Sequence, residues 1–377
     1  MKNRIFCLLL TVFFSYAHTI QSQSFLRRIV GGLIHDTSHA AKPRFLVYPT
    51  LAFSPETSLE IAFNSIYVYY ANRDTLNRLS EINALTFFTI KNQYGLWLDH
   101  AMYSDADKVF FLGKIRLQSF PLFYFGIGTG TPKEYQARVD ANQIWIKERV
   151  LRKIKKNLFL GLELDFQRLS KVDFVRNSQF ESIDLPLGYQ GSTTFGAGLG
   201  LVYDNRHNML NVRKGFFSEL GFLHYNDFFS DYSFDNIVSD TRLFRPFGKR
   251  NVFAAQLLGQ FNSGNVPFNQ LALMGGESMM RGYYTGRIRD KNQIAAQTEL
   301  RFLPLPLGFS RRIGATVFGS VATVFPGLKA VFTNKPLVAA GAGLRFLLLP
   351  KKDIYTRIDY AFTREGGGLY IFVGEAF

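Results

Sequence analysis

Apolar and polar residues alternate with a period of two along most of this chain. Between residues 294 and 302, the two faces carry Ile294, Ala296, Leu300 and Phe302 on one side and Gln297, Glu299 and Arg301 on the other. Between residues 357 and 363, Ile358, Tyr360 and Phe362 lie opposite Arg357 and Asp359. A period of two places successive side chains on opposite faces of a β-strand. The pattern therefore predicts an all-β chain whose strands have one apolar and one polar face.

Segments of this kind repeat from Phe45 to Phe377, separated by Gly, Asn, Asp, Ser and Pro. We count about sixteen of them, an even number as in most single-chain outer-membrane barrels. In a soluble β-sandwich the apolar faces would form the core. A polar face that recurs in every segment fits better with a barrel whose polar face lines a lumen and whose apolar face meets lipid. We therefore predict a single transmembrane β-barrel over residues 45–377, with its apolar face toward lipid and its last strand ending on Phe377.

The longest gaps between predicted strands lie at residues 119–133, 171–189 and 262–291. Periplasmic turns of outer-membrane barrels are short and their extracellular loops are longer. We therefore predict that these three gaps are extracellular loops, of which 262–291 is the longest.

The amino-terminal residues have the features of a secretory signal peptide. Lys2 and Arg4 precede an apolar core, Ile5 to Phe14, and Ser15-Tyr16-Ala17 gives a small-x-small cleavage site. We predict a signal peptide over residues 1–17 and export to the bacterial outer membrane. Cys7 is the only cysteine and lies in this segment, so disulfides and thiolate sites are not expected in the mature chain.

Residues 18–44 are too few for a domain of their own, and we expect a short periplasmic or lumenal tail. His35 and His39, with Asp36 between them, are the one candidate metal-binding group in this tail. A third well-placed ligand is missing, so a mobile polar tail is the favoured interpretation and no metal site is predicted.

The net charge of the chain is +15, and loss of Lys2 and Arg4 with the signal leaves +13. A nucleic-acid partner is not expected, because no recognition module accompanies the basic residues. Outer-membrane lipid and lipopolysaccharide are anionic partners that an exported chain meets. The most basic stretch, Lys147 to Lys156, is predicted at a periplasmic turn, where it is either solvated or contacts lipid headgroups or a partner. It contains Arg149, Arg152, Lys153, Lys155 and Lys156.

No catalytic group is evident in the sequence. The six histidines are scattered, no Gly-x-Ser-x-Gly motif occurs, and Gly275-Gly276 is not followed by the Lys-Ser/Thr pair of a phosphate-binding loop. We therefore predict that the protein is not an enzyme and requires no cofactor.

Two motifs are more specific than the alternation. One is the segment from Asp204 to Gly215, which contains Arg206, and the other is Gly275-Gly-Glu-Ser-Met-Met-Arg-Gly-Tyr283 in the longest loop. Together they resemble the BamA/TamA family, also called the bacterial surface antigen family, whose barrels have an Asp-x-Arg…Pro-x-x-Gly turn and a Val-Arg-Gly-Tyr or Phe loop motif. Val212 stands where that turn usually has proline. No room exists between residues 18 and 44 for the periplasmic polypeptide-transport-associated (POTRA) domains of the family.

The resemblance implies that the longest loop folds into the lumen and is locked there. Arg281 is the matching arginine, Gly282 permits an unusual backbone conformation, and Tyr283 wedges the loop tip in place. In the family the arginine meets acidic side chains on the next two strands. Glu299 matches the first, but Ser320 stands in place of the second, so the lock is expected to be weaker or completed elsewhere.

The resemblance also implies a function in inserting proteins or lipids into the outer membrane, or in translocating them, at a seam between the first and last strands. Pro49 in the first strand lacks an N–H donor, and Gly374 near Phe377 packs poorly in the last, so both weaken the seam. Client barrel proteins and a periplasmic or lipoprotein partner are the implied partners. The alternatives are a passive pore or structural barrel with a plugged lumen, and a barrel that binds a surface ligand through its long outer loops.

Overall fold

The computed structural model describes residues 42–377 except 55–57, 120–121, 135, 177–184, 207–210, 249 and 351–352. Three single 3-10 turns, at Ala71–Arg73, Asp105–Asp107 and Leu328–Ala330, interrupt a structure that is otherwise built of strands. Within the described ranges, no helix has the length and apolar character needed to cross a membrane. The predicted signal peptide, residues 18–41 of the predicted tail and the group of His35, Asp36 and His39 all lie outside these ranges.

The strands follow one another along the chain with short or long connections. They are β1 (Arg44–Ser54), β2 (Ser58–Tyr70), β3 (Leu79–Thr89), β4 (Tyr94–Tyr103), β5 (Val109–Ser119), β6 (Leu122–Tyr124), β7 (Ala137–Lys155), β8 (Leu158–Arg176), β9 (Ser192–Asp204), β10 (Gly215–Tyr225), β11 (Phe234–Phe247), β12 (Asn251–Gly264), β13 (Ala272–Met274), β14 (Ile288–Asp290), β15 (Asn292–Phe302), β16 (Ile313–Phe325), β17 (Leu337–Leu349), β18 (Ile354–Thr363) and β19 (Gly366–Val373).

In the described residues, seventeen of these strands form one sheet, and β13 and β14 form a separate hairpin. Each strand of the large sheet is antiparallel to its neighbours along the chain. Because β5 and β6 pair with successive parts of β7, the seventeen strands fill sixteen positions, as predicted. A further pairing between β1 and β19 brings the first and last strands together, so the sheet closes into a barrel.

The alternation predicted from the sequence separates the outer surface from the lumen. Leu162 and Phe362 are about three-fifths exposed on the outside, whereas Glu299 and Arg301 are almost fully buried on the inside. Apolar side chains on the outer face and charged ones in the lumen are the arrangement of a transmembrane barrel.

The two ends of the barrel differ in the length of their connections. At one end lie the connections from β5 to β7, from β8 to β9 and from β12 to β15, which coincide with the three long gaps predicted from the sequence. We call this end the loop end. The opposite end, the terminal end, holds the start of β1, the end of β19 and short connections such as residues 156–157 and 248–250.

The prediction that the last strand ends on Phe377 is wrong. Strand β19 ends at Val373, and Gly374, with φ +91°, turns the chain away from the sheet. Its N–H donates a hydrogen bond to the Tyr355 carbonyl at 2.7 Å. Residues 375–377 then enter the lumen, so Phe377 is not part of the strand that β1 faces.

The prediction that the basic stretch Lys147 to Lys156 lies at a turn is also wrong for most of its length. Strand β7 continues to Lys155, and its odd-numbered residues here face the lumen. Lys147 Nζ and Arg149 Nε both lie 2.7 Å from carboxylate oxygens of Glu163 on β8. The alternation of these cations with Ile146 and Val150 on the outer face explains the longer strand, and only the last two lysines reach the connection.

Candidate functional site: the loop cluster and the strand seam

The loop from residue 265 to residue 291 turns back from the loop end into the lumen. Its base is the hairpin of β13 and β14, and its tip is formed by residues 275–287. Met280 and Tyr283 at the tip are almost fully buried, in an apolar cluster with Val324 and Leu337 of the barrel wall. Burial of these side chains fixes the tip against one side of the lumen.

Arg281 extends from this tip to two carboxylates on different strands. Its Nη1 donates to Asp359 Oδ2 of β18 at 2.7 Å, and its Nη2 donates to Glu299 Oε1 of β15. The guanidinium also lies over the ring of Phe318 on β16, 3.5 Å from its centroid. All three charged side chains are almost fully buried. A guanidinium stays charged and must be paired where water is scarce, so this geometry holds the loop to the wall.

Gly282 has a backbone conformation that other residues rarely adopt, with φ +103°. A Cβ atom here would lie 2.6 Å from Thr363 Cγ2 on β18. The Gly282 N–H donates to Tyr370 Oη on β19 at 2.9 Å. The loop tip therefore contacts both strands of the last hairpin through a residue that only glycine suits.

Arg281 belongs to a larger group of buried charges, which we call the arginine cluster. Its members are Arg281, Arg301, Arg345, Arg357, Glu299, Asp359 and Glu375. Arg345 joins two of the carboxylates, with Nη1 2.5 Å from Asp359 Oδ1 and Nε 2.9 Å from Glu375 Oε2. Arg301 Nε donates to Glu299 Oε2 at 2.7 Å. The cluster thus connects the loop tip to the carboxyl-terminal segment through a continuous chain of ion pairs.

The structure places Ser320 outside this chain of ion pairs. Its hydroxyl donates to the Ala339 carbonyl at 3.4 Å, and the second carboxylate near Arg281 is Asp359. The alternative in which the pairing is completed elsewhere is therefore the one observed. The alternating pattern of residues 357–363 already put Asp359 on the polar face, but it gave no sign that β18 lies close to the loop tip.

The turn motif is held together by its own charged pair at the end of β9. Arg206 donates to Asp204 from Nε at 3.0 Å and from Nη2 at 2.9 Å, and its guanidinium lies 4.2 Å from the ring centroid of Phe217. Gly215 has φ +138°, and a Cβ atom there would lie 2.7 Å from Arg206 Cα. The three residues named from the motif therefore lie together at the terminal end.

The rest of this connection crosses the terminal end of the lumen. Asn211 Nδ2 donates to the Asp353 carbonyl at 2.9 Å, and Arg213 Nη2 donates to Asp353 Oδ1 at 2.7 Å. Hydrogen bonding to Asp353 raises the pKa of Arg213 above its ordinary value. Val212, where the family usually has proline, is buried against Phe244 and Phe377. Residues 211–213 thus cover the inward-turned carboxyl-terminal segment.

The seam between β1 and β19 is much shorter than the other strand pairs. In the described residues it has one register pair, Phe53 opposite Ile371, whereas β1 and β2 are in register along all of β1. Continuing the seam register would place Pro49 opposite Glu375. Pro49 has no N–H to donate, and the Glu375 carboxylate lies with Arg345 in the lumen.

Phe377 packs in the lumen as well, beside the arginine cluster. Its ring centroid lies 5.0 Å from the Arg301 guanidinium and 6.0 Å from the Phe244 ring. The Arg301 Nη2 donates to the Phe377 backbone oxygen at 3.1 Å. Of the three residues predicted to form the seam, only Pro49 lies in a seam strand, and Gly374 marks where the partner strand ends.

Part of the lumen is left unfilled by the loop. A cavity of about 830 Å³ lies against the wall formed by β4, β5, β7 and β8. Both tryptophans line it, with Trp97 Nε1 donating to Gln118 at 2.5 Å and Trp145 Nε1 donating to Asp165 at 2.9 Å. Within the described residues, no group of His, Cys, Asp and Glu has the arrangement of a metal site.

Comparison with known proteins gives one family and several similar folds. The Omp85 superfamily domain matches residues 107–372. No curated protein gives a match. The structure of BamA from Haemophilus ducreyi lacking POTRA domains 1–3 is 15% identical in sequence, with a TM-score of 0.56. This match covers 88% of this chain and 70% of the BamA chain.

Two further structures share the fold. CdiB from Acinetobacter baumannii is 12% identical with a TM-score of 0.58, and CdiB from Escherichia coli is 11% identical with a TM-score of 0.56. These two matches cover 88% and 87% of this chain. The chain spans only 59% and 62% of the length of the two CdiB chains. Identities this low show the fold alone, and the family follows from the domain match. The chain belongs to the Omp85 superfamily of bacterial outer-membrane barrels.

Proposed function

We propose that this barrel assists the insertion of proteins into the bacterial outer membrane, or the translocation of proteins or lipids, at the seam between β1 and β19. The observation that carries the proposal is the single register pair of this seam. Members of the superfamily act as transporters and insertases and not as enzymes, which agrees with the absence of a catalytic motif in the sequence.

A short seam leaves strand edges without a partner. The N–H and C=O groups of β1 between Phe45 and Ala52 have no register partner on β19 in the described residues. An exposed strand edge pairs readily with an incoming strand, which is the basis of β-augmentation. The β1 edge is therefore the place where we propose that a client strand is received.

The arginine cluster supports this role by keeping the last strand short. Arg345 and Arg301 bind the carboxyl-terminal segment inside the lumen, and Arg281 binds the long loop to the same group of charges. The proposed lock therefore positions both the loop and one side of the seam. Export of the chain by its predicted signal peptide, residues 1–17, is part of the same proposal.

The partners in this proposal are outer-membrane lipid and lipopolysaccharide, client barrel proteins, and a periplasmic or lipoprotein partner that recruits the clients. The chain's strong net positive charge, +15 before any processing, favours anionic lipid surfaces.

A reversible disulfide across the seam tests the proposal. The full chain carrying Cys7→Ser, Phe53→Cys and Ile371→Cys joins the one register pair, and Val317→Cys with Ala342→Cys is the matched control between two fully paired strands. Folding of a client barrel into bilayers containing the oxidised seam variant should fall to the rate of empty bilayers and recover on reduction. The control should be equally active in both states, and an oxidised seam variant that stays active would contradict the proposal.

A passive pore with a plugged lumen is the second candidate, favoured by the cavity of about 830 Å³ that remains beside the loop. A pore needs no seam opening, so the same disulfide should leave its conductance unchanged.

A further inference from the structure

A group of exposed cations lies at the terminal end of the barrel, where β7 ends. Arg152 and Lys155 belong to the end of β7, and Lys156 to the connection that follows it. Lys108 directly precedes β5, the neighbouring strand. The Lys108 carbonyl accepts a hydrogen bond from the Lys153 N–H at 2.9 Å, which holds the two strand ends side by side. We call the four exposed residues Lys108, Arg152, Lys155 and Lys156 the basic rim patch.

Arg152 extends from the lipid-facing side of its strand. Val150 and Ile154 flank it along β7 and are 44% and 50% exposed. Leu160 lies opposite it on β8 and is 42% exposed. An arginine stays charged, so from this position its side chain reaches toward the headgroups, while the apolar residues beside it contact acyl chains.

A register shift at the end of β7 turns a second cation to the same side. Lys153 is opposite Phe159, but Lys155 is opposite Leu158, so β7 has one extra residue between the two pairs. Phe159 is buried on the lumen face, and its neighbour Leu158 is on the outward face. An extra residue of this kind is a β-bulge, which re-aims the side chains that follow it. Lys155 therefore lies on the same face as Arg152.

The basic rim patch has little counter-charge within the protein. Among the described residues, Arg152, Lys155 and Lys156 form no ion pair, unlike the lumenal cations of the same strand. Lys108 interacts with Asp105, the one exposed carboxylate on the two connections that carry the patch. Four cations thus face one carboxylate, and the remaining negative charge is supplied from outside the chain.

We propose that the basic rim patch binds the phosphate of an anionic phospholipid, whose acyl chains lie along Ile154 and Leu160. Short connections mark the terminal end as the periplasmic end of an outer-membrane barrel, and the lipid of that leaflet is phospholipid. Guanidinium and ammonium groups bind phosphate through charge-assisted hydrogen bonds. The excess of cations favours an anionic headgroup, because the amine of a zwitterionic headgroup would meet like charge.

The position of Arg152 favours a lipid over an acidic protein as the occupant. A periplasmic protein would meet the rim of the barrel, but it would not meet the lipid-facing side of β7 between apolar residues. The site is also separate from the seam, since β2, β3 and β4 lie between β1 and β5. The inference therefore does not depend on the proposed function.

Native mass spectrometry of the detergent-solubilised full chain tests the site. Dioleoylphosphatidylglycerol and dioleoylphosphatidylcholine are the two probes. The patch variant carries Lys108→Gln, Arg152→Gln, Lys155→Gln and Lys156→Gln. The control variant removes the same charge from exposed positions of the loop end, with Lys171→Gln, Arg176→Gln, Lys329→Gln and Lys335→Gln.

The wild-type chain should bind phosphatidylglycerol more tightly than phosphatidylcholine. The patch variant should bind phosphatidylglycerol at least about tenfold more weakly than the wild-type chain, since each cation near a lipid surface strengthens its attraction to anionic lipid. The control variant should bind it as the wild-type chain does. A third variant keeps every positive charge of the patch and should also bind normally; it carries Lys108→Arg, Lys155→Arg and Lys156→Arg. Heat-modifiable migration shows that each variant is a folded barrel.

Four results would overturn the proposal. The first two are equal binding of phosphatidylglycerol by the wild-type chain and the folded patch variant, and equal binding of the two lipids by the wild-type chain. The third is displacement of phosphatidylglycerol by millimolar inorganic phosphate, which would assign the patch to free phosphate. The fourth is cross-linking of a photoreactive residue at position 154 to a protein instead of a lipid in native membranes.

Discussion

At the scale of single residues, Arg281 is the point where three strands and the long loop meet. It hydrogen-bonds Glu299 and Asp359 and lies against Phe318, all in a buried part of the lumen. Its removal leaves both carboxylates with other arginines of the cluster, so the carboxylates stay paired. The cost of its loss is therefore mainly the release of the loop tip.

Arg281→Ala should lower the free energy of unfolding by about 3 kcal/mol, the lower part of the range for breaking a buried ion pair. Arg281→Lys should recover part of this loss, because an ammonium can reach one carboxylate but not form both bonds in the same geometry. Urea unfolding followed by heat-modifiable migration measures both. Arg311→Ala, at an exposed position of the terminal end, is the control and should have little effect. Equal stability of the Arg281→Ala and Arg311→Ala variants would show that the loop is held by other contacts.

Gly282→Ala tests the backbone of the loop tip. The positive φ and the approach of Thr363 Cγ2 should together cost about 1–3 kcal/mol of stability. Gly327→Ala is the matched control, since a Cβ atom there would have nothing within 4 Å and the φ of Gly327 is −161°. Protease cleavage within residues 275–287 should become faster for Gly282→Ala alone. A Gly282→Ala variant as resistant as the Gly327→Ala control would mean that the tip tolerates a different backbone.

At the scale of the strands, the carboxyl-terminal segment decides how far the seam extends. Val373 ends β19, and Glu375 and Phe377 are held in the lumen by Arg345 and Arg301. The same arginines pair with the carboxylates that bind Arg281. The loop and the end of the last strand are therefore positioned by one set of charges, which neither motif revealed in the sequence.

Glu375→Gln should weaken the hold on this segment and lengthen the seam. A neutral amide loses the charge-assisted bond to Arg345, so the segment should spend more time alongside β1. Hydrogen exchange of the β1 amides between Val47 and Phe53 should then slow, since the seam register places Phe377 opposite Val47. Glu365→Gln, at the other end of the last hairpin and paired with Arg287, changes the charge equally and should not affect these amides. Unchanged exchange in the Glu375→Gln variant would contradict the link between the cluster and the seam.

The strands could be predicted from the sequence because the alternation of apolar and polar residues that produces them is a local property of the chain. Alternation in segments such as residues 294–302 depends only on which residues meet lipid and which meet the lumen, and the structure confirms these faces. The end of β19 was not predictable in this way. The chain leaves the sheet after Gly374 because Arg345, 30 residues earlier in the sequence, binds Glu375 in the lumen. The pairing of Arg281 with Asp359 is of the same kind, since β18 approaches the loop tip only after the barrel has closed.

At the scale of the whole molecule, both ends of the lumen are obstructed. The long loop fills one side from the loop end, and residues 211–213 cross the terminal end through their bonds to Asp353. The cavity of about 830 Å³ lies beside the long loop and is bordered by charged side chains. A barrel of this size without them would be an open aqueous channel.

The wild-type protein should therefore give small and intermittent currents in planar bilayers. Combining Arg281→Ala with Arg213→Ala loosens both obstructions, and it should raise the steady conductance several-fold more than either change alone. Arg311→Ala with Arg176→Ala removes two exposed arginines, one at each end, and serves as the control. Two measurements together distinguish the two proposed functions: these currents, and the levels of outer-membrane proteins after the protein is depleted from its native cells. An insertase should give small currents and lowered levels of outer-membrane proteins on depletion, because its clients enter through the seam and not through the lumen. Large steady currents from the wild-type barrel, with normal outer-membrane protein levels after depletion, would contradict the insertase and establish the passive pore.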